Sequence, residues 1–448
     1  MALKYFGTDG IRGLYGGSNL NDNIAYRAGL AAARVTKLRY GTESPLIVIG
    51  RDTRASGVAL LAALAAGFES EGGRVESIGV VPTPAVAKVV ALGEALMGCA
   101  ITASHNPHTD NGIKFFQADG TKPSESMEQN LDEAVGAADA VDASSWPFVE
   151  DVASEKCELY LKSVRQAFPK GMLSGKRIAL DCSNGALSAF AREVFEAFGS
   201  ETTTVGDAPN GSNINDGVGS ECPQSLSTVF ETGTFDMGFA FDGDGDRMIA
   251  FDETGTKLPG EATLGLLAIR AKAQGKLKGD VLVTTDQSNL GLDAALGSNE
   301  IVVERTNIGD KFVSRLMISD GFSLGGEESG HVVVGGFSMT GDGLFSALKV
   351  AQAIVESGQS LGKLASFYRA YPQQTRAIRV ASKPALDTCV NVSAVIKQLE
   401  KEFGEDGRLL VRYSGTEPKL RLLVEAKTDA LTAEAVRRLE EAVAKDLT

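Results

Sequence analysis

Asp242-Gly243-Asp244-Gly245-Asp246-Arg247 lies between two short apolar runs, residues 235–241 and 248–251, and the nature of those runs decides the fold. If they were helices, the segment would resemble a calcium EF-hand: counted from Asp242, it has Asp at 1, 3 and 5, Ile249 at 8 and Glu253 at 12. Position 6 of such a loop needs glycine for its sharp turn, and here it is Arg247. The flanking runs are also too short and too aromatic for paired helices, so they read as strands. Carboxylates alternating with residues that lack a Cβ let the backbone wrap a small hard cation, Mg²⁺ or Ca²⁺, with oxygen ligands. Arg247 adds a planar cation suited to a phosphate oxygen. An EF-like structural calcium site and a plain acidic turn remain the competing readings.

The same grammar repeats along the chain. Residues 46–52, 178–181 and 281–286 are short apolar strands that each end at an aspartate, Asp52, Asp181 and Asp286. Small polar residues follow, then a helix-like apolar stretch, then a second strand closing near Gly79, Gly206 and Gly309. Strands alternating with helices imply an α/β fold: three related α/β domains with mixed sheets. The tail differs, with strands at 376–380, 409–412 and 420–426 and an amphipathic helix at 432–445, a smaller C-terminal α+β domain. Breaks near 149–155, 252–255 and 371–375 divide the chain into domains 1–152, 153–252, 253–371 and 372–448.

Composition narrows the partners. A net charge of −14 over 448 residues argues against nucleic acid or an anionic membrane as the main partner. The longest apolar run, 58–68, is far short of the ~20 residues a membrane helix needs. Five scattered cysteines without a CxxC pair suggest reduced thiols in a cytoplasmic protein and no zinc site. The amino terminus lacks a basic-then-apolar signal pattern. Residues 171–176 have the wrong glycine spacing for a Walker A loop, so ATP binding is unsupported.

Four further loops, and a lysine-bearing segment downstream of the first, carry chemistry. Thr102-Ala103-Ser104-His105-Asn106-Pro107 follows the apolar run 97–101, so Ser104 stands in a loop at a sheet edge. A bare serine is a weak nucleophile, whereas a phosphoserine binds a metal and donates its phosphoryl group; a proline-capped turn is the bland alternative. Asp110-Asn111-Gly112-Ile113-Lys114 reads as a turn followed by a lysine that is a phosphate contact, a surface group, or a proton carrier if neighbouring cations lower its pKa. Phe6-Gly7-Thr8-Asp9-Gly10-Ile11-Arg12-Gly13 reads as a glycine-rich anion cradle or a flexible turn. Gly325-Gly326-Glu327-Glu328-Ser329-Gly330-His331 gathers acceptors for sugar hydroxyls, with His331 as a proton-transfer group, unless it is an acidic surface turn. Arg412-Tyr413-Ser414-Gly415-Thr416-Glu417-Pro418 joins hydroxyls, backbone N–H groups and cations, as a non-reacting phosphate requires.

Taken in order, these five loops resemble the α-D-phosphohexomutase family over essentially the whole chain. Residues 6–10, Pro209-Asn210-Gly211-Ser212-Asn213-Ile214-Asn215 and Thr340-Gly341-Asp342-Gly343 resemble the bacterial branch that acts on glucosamine phosphates. The resemblance implies four domains around a central cleft. It implies interconversion of glucosamine 6-phosphate and glucosamine 1-phosphate, on the route to UDP-N-acetylglucosamine, with phosphomannomutase or phosphoglucomutase activity as the alternative. Covalent phosphate on Ser104 would pass through a glucosamine or glucose 1,6-bisphosphate. Mg²⁺ would be held by Asp242, Asp244, Asp246 and the Ser104 phosphate. Arg12, Lys114, Arg247 and His331 would form the acid/base and charge-stabilising set. Glu327 and Ser329 would bind sugar hydroxyls; Arg412, Ser414, Gly415, Thr416 and Arg421 would grip the distal phosphate. The partner is then a small sugar phosphate, and a homodimer is compatible. Glu328 and Tyr413 depart from the branch pattern, which commonly carries a neutral residue and a proline there.

Overall fold

The computed structural model describes residues 3–7, 9–141, 146–414 and 417–447, with the side chains of 153–155 also outside the described set. Three of its four sheets share one strand order. The first contains β1 (Ile11–Leu14), β2 (Leu46–Arg51), β3 (Arg74–Val80), β4 (Met97–Ile101) and β5 (Asp110–Gln117) in the order β1-β5-β4-β2-β3. The second contains β6 (Arg177–Asp181), β7 (Glu201–Val205), β8 (Met237–Phe241) and β9 (Met248–Phe251), ordered β7-β6-β8-β9. The third contains β10 (Val281–Thr285), β11 (Val302–Thr306), β12 (Leu324–Gly326) and β13 (Val332–Val334), ordered β11-β10-β12-β13. In each, a first strand lies between two parallel neighbours, and the third strand turns back into an antiparallel fourth. The three aspartate-ended segments are β2, β6 and β10, so the repeat read from the sequence is a repeat of topology.

Every residue of β4 and β8 is buried, which is why these strands are continuous apolar runs rather than alternating ones. Helices cover the sheets closely. Helix Asp22–Tyr40 packs on helix Ser56–Ser70 through two glycines: a Cβ on Gly29 would lie 2.0 Å from the Leu64 carbonyl oxygen, and one on Gly67 1.9 Å from that of Tyr26. Any side chain at either position would push the backbones apart.

Two sequence readings are corrected. Residues 110–114 are not a turn but the start of β5, which pairs with β1 and β4 at once. Gly112 makes this possible, since a Cβ there would meet the Thr102 and Ile11 carbonyl oxygens at 2.5 and 2.9 Å. The glycine-rich amino-terminal loop likewise ends early, with Arg12 on edge strand β1. The EF-hand reading also fails, because β8 and β9 are antiparallel strands joined directly by residues 242–247.

By chain packing, the residues up to Gln287 together with Ile301–Ser366 form one compact unit. Ser288–Glu300 and Phe367 onward form a second. The second unit holds β14 (Gln373–Arg379), β15 (Gly407–Tyr413) and β16 (Lys419–Ala426), antiparallel in the order β14-β16-β15. Leu420, Leu422, Val424 and Ala426 point into a core shared with helices Val390–Phe403 and Asp429–Asp446, leaving Lys419 and Arg421 on the open face. Segment 288–300 is held here by Asn289, whose side chain donates to the Tyr371 carbonyl (3.0 Å) and accepts from its N–H (2.8 Å). Buried Glu425 accepts from the Leu290 N–H (3.1 Å) and from Arg408 Nε (2.7 Å).

Candidate active site

Loops 102–109, 242–247 and 327–331 occupy the same place in three copies of one topology: each joins the third strand of its sheet to the antiparallel fourth. The first presents Ser104. Its φ of 54° is left-handed, a conformation costing a non-glycine residue about 1–2 kcal/mol, so the surroundings must hold it. They do so through the backbone. The Ser104 carbonyl accepts from Asn215 Nδ2 (2.9 Å) and Arg54 Nη2 (3.2 Å), and the Asn106 carbonyl accepts from the same two side chains. Arg54 is itself fully buried against Asp52, which also accepts from the Arg54 N–H (2.9 Å). The Ser104 hydroxyl is thereby aimed at the second loop and donates to Asp242 Oδ2 at 2.5 Å; His105 Nδ1 lies 3.3 Å away.

The second loop supplies acceptors in excess of donors. Asp242, Asp244 and Asp246 are buried, with one oxygen from each lying within 4.8 Å of the others. Thr83 Oγ1 and Lys114 Nζ donate to Asp244 Oδ2 at 2.6 and 2.9 Å. Asp244 Oδ1 and Asp246 Oδ1 are buried with no hydrogen-bond partner. Burial and the charges of Asp246 and Asp244 push the Asp242 carboxyl well above the usual carboxylate range. Unpartnered carboxylate oxygens in an all-oxygen cluster fit a hard divalent cation, which would relieve that repulsion.

Lys114 comes to this cluster from β5, opposite Ala100 of β4. Its ammonium lies 2.8 Å from Asp9 Oδ2, 2.9 Å from Asp244 Oδ2 and 3.4 Å from Asp246 Oδ2. Burial opposes its charge, but Asp244, Asp9 and Asp246 outweigh it and raise the pKa well above the ordinary lysine value. The reading in which crowding cations lower the Lys114 pKa is therefore corrected: carboxylates surround it.

The third loop contributes His331, Glu327 and Ser329. His331 Nδ1 is 3.7 Å from Asp246 Oδ1, and Nε2 is 3.3 Å from Asp310 Oδ2 and 3.2 Å from the Gly341 N–H that donates to it. A Cβ on Gly341 would lie 2.3 Å from that ring nitrogen, which explains the glycine in Thr340-Gly341-Asp342-Gly343. Burial lowers the imidazole pKa, yet Asp310 and Asp246 reverse this and raise it. Glu327 is buried and accepts from the Gly309 N–H at 3.1 Å. Ser329 Oγ and Glu328 Oε2 are buried without a hydrogen-bond partner. Burial brings the Glu328 carboxyl up to about 7. Arg247 Nε approaches Asp246 at 3.9 Å, and Arg12 Nη2 reaches Asp9 at 3.2 Å.

Within the first unit, then, Ser104, the three aspartates, Lys114, Arg247 and His331 are gathered, with Arg12 joined through Asp9. His108 is exposed and does not join them. Asp9, Thr83, Lys122, Asp310, Arg54 and Asn215 were not anticipated as site residues. Lys122 links Asp9 to Asp310, and so to His331, in one partly buried ion-pair chain.

The second unit carries a separate cationic cluster. Arg412 lies directly across from Arg421, and Arg379 across from Lys419, on the open face of its sheet. Like charges opposite one another cost stability unless an anion offsets them, and here Glu417 pairs with Lys419 at 2.7 Å and with Arg421 at 4.0 Å. Ser414 is buried, and its carbonyl accepts from Lys383 Nζ at 2.5 Å. Gly415 and Thr416 lie outside the described residues. Arg379 and Lys383 carry no local motif; only strand register reveals the first.

Comparison with known proteins agrees with this arrangement. Family profiles described as phosphoglucomutase/phosphomannomutase alpha/beta/alpha domains I, II and III match residues 3–142, 158–255 and 259–371, and the C-terminal domain of that family matches 373–444. The chain is 41% identical to the phosphoglucosamine mutase of Halalkalibacterium halodurans and 40% identical to that of Bacillus subtilis, in each case over 99% of both chains. A phosphoglucomutase/phosphomannomutase family protein from Burkholderia thailandensis shares the fold with a TM-score of 0.80 at 22% identity, covering 99% of this chain and 98% of that one. The N-acetylphosphoglucosamine mutase of Aspergillus fumigatus, solved in complex with GlcNAc-6P and magnesium, gives a TM-score of 0.69 at 17% identity, covering 100% of this chain and 96% of that one. The chain belongs to the phosphoglucomutase/phosphomannomutase family, with that family's four domains in order along its length.

Proposed function

We propose that this chain interconverts glucosamine 6-phosphate and glucosamine 1-phosphate, with Ser104 carrying the phosphoryl group between them. The observation that carries the reading is the 2.5 Å hydrogen bond from the buried Ser104 hydroxyl to Asp242 of the aspartate cluster. The substrate class is supported by relatives named phosphoglucosamine mutase at about 40% identity over the whole chain.

In the forward step a free sugar hydroxyl attacks the phosphorus of phosphorylated Ser104. The bond from phosphorus to Ser104 Oγ breaks as the new bond forms, giving a 1,6-bisphosphate. The sugar hydroxyl loses its proton and Ser104 Oγ gains one, so charge balances. Return of the other phosphoryl group to Ser104 restores the enzyme. Asp242, Asp244 and Asp246, with an oxygen of the Ser104 phosphate, would hold Mg²⁺, whose charge would offset that of the phosphoryl group. Arg12, Lys114, Arg247 and His331 form the acid/base and charge-stabilising set; Asp244 and Asp9 favour the charged form of Lys114, and Asp310 raises the pKa of His331. Glu327 and Ser329 read sugar hydroxyls, the unpartnered Ser329 hydroxyl being free to do so. Arg412, Ser414, Gly415, Thr416 and Arg421 hold the distal phosphate, joined by Arg379 and Lys419.

We place the enzyme in the cytoplasm, on the route supplying UDP-N-acetylglucosamine, and divide it at residues 152, 252 and 371. No helix among the described residues is long and apolar enough to cross a membrane. A coupled assay with glucosamine, mannose and glucose phosphates tests the substrate. Glucosamine phosphates should show the highest kcat/KM; a preference for mannose or glucose phosphates would move the chain to a sister activity. Net release of inorganic phosphate without isomerised sugar would make it a phosphatase.

A further inference from the structure

The β12–β13 hairpin has two ends. Its tip carries Glu327 and His331; at the other end, beside Phe322–Leu324 and Val334–Gly336, lies a cavity of about 530 Å³. That volume is in the range of small-molecule sites, which combine an apolar lining with a few placed polar groups. The floor here is Leu267, Met317, Phe322, Val334 and Met339. Arg270, Lys276, Lys278 and Lys349 line it, and no carboxylate does.

In a chain of net charge −14, four cations around an apolar cavity are a local reversal of sign. Arg270 is paired with Glu356. Lys276, Lys278 and Lys349 form no ion pair among the described residues, and the Lys349 ammonium donates to Gln352 Oε1 at 3.1 Å. Burial, reinforced by the like charges of Lys276 and Arg270, depresses the Lys349 pKa despite Glu356. An anion in the cavity would remove that penalty. Phosphate alone would leave the apolar floor unused, and a neutral hydrocarbon would leave the three lysines unpaired. The complement is a molecule with both parts.

We propose that this cavity binds a small organic anion, an aromatic or acyl body bearing one phosphate, sulfonate or carboxylate group, with the charged end at Lys276, Lys278 and Lys349. Nothing in the phosphoryl-transfer site depends on it, so its failure would leave that reading untouched.

The test is a fluorescence titration of the full-length magnesium-loaded protein with 8-anilinonaphthalene-1-sulfonate, followed by competition. The expected result is saturable binding at one site per chain, weakened about tenfold by Lys349→Glu and by Lys276→Glu, the loss of one charge-assisted contact. Octyl phosphate should displace the dye where equal inorganic phosphate does not. Lys276 is exposed, so its variant remains readable even if Lys349→Glu fails to fold. Absence of saturable binding, unchanged affinity in the folded variants, or equal displacement by inorganic phosphate would each overturn the proposal.

Discussion

Loops 102–109 and 242–247 occupy equivalent hairpin positions, yet they are built in opposite ways. In the first, backbone acceptors are met by donors brought from elsewhere: Arg54 and Asn215 both hold the carbonyls of Ser104 and Asn106. In the second, two carboxylate oxygens, Asp244 Oδ1 and Asp246 Oδ1, have no donor at hydrogen-bond distance, although His331 and Arg247 lie 3.7 and 3.9 Å from Asp246 Oδ1. One loop is completed by protein and fixes a hydroxyl; the other is left open to an ion. The shared scaffold supplies position, and the neighbours supplied by other segments decide the role.

Removing what each loop presents gives the largest effects. Ser104→Ala should lower kcat by about 10⁴-fold or more, the scale seen when a covalent nucleophile is lost, while weakening magnesium affinity less than the loss of an aspartate does. Asp244→Ala should cost about 10³-fold in turnover, with magnesium binding by calorimetry weakened in parallel. Equal effects of the two variants on magnesium affinity would erase the contrast.

Asn215→Ala sharpens it. This removes a donor from the Ser104 loop without touching the hydroxyl, so kcat should fall roughly tenfold with KM nearly unchanged. Asn215→Asp should not rescue it, because a carboxylate cannot donate to the two carbonyls. Arg54 is a poorer probe, since its loss strands buried Asp52 at a cost of about 3–5 kcal/mol.

The smallest effect concerns Glu328, an acceptor left open with no ion proposed for it. Its carboxyl is raised to about 7 in the folded chain, so the folded state binds the extra proton. That stability is present below the ordinary glutamate pKa of about 4.3 and is lost as pH rises through 7. Glu328→Gln should therefore raise stability by on the order of 1–2 kcal/mol at pH 8 and change it little at pH 4. Thermal unfolding at the two pH values checks this; an equal shift at both would mean that the carboxylate finds a partner.

The aspartate loop was legible because its carboxylates are adjacent in sequence and its flanks are short enough to exclude helices. The threefold repeat was legible for a similar reason: strand, aspartate and glycine recur locally. What could not be read is whatever depends on distant pairing. Asp9 meets Lys122 and Lys122 meets Asp310 across more than a hundred residues, and nothing near any of them announces it. Residues 110–114 misled because Asn-Gly favours turns, whereas here Gly112 gives three strands room to close. Helix Val390–Phe403 went unread although Val392, Leu399 and Phe403 were spaced for one face. Arg379 became visible only once register set it opposite Lys419.

The most direct test of the account is a phosphoryl chase at position 104. Enzyme charged with labelled glucosamine 1,6-bisphosphate and Mg²⁺ should carry the label on the peptide containing Ser104, by mass spectrometry. It should lose that label within a turnover when unlabelled glucosamine 6-phosphate is added, and should keep it when magnesium is chelated first. Turnover with no label on that peptide, or release of the label at the same rate without magnesium, would contradict it.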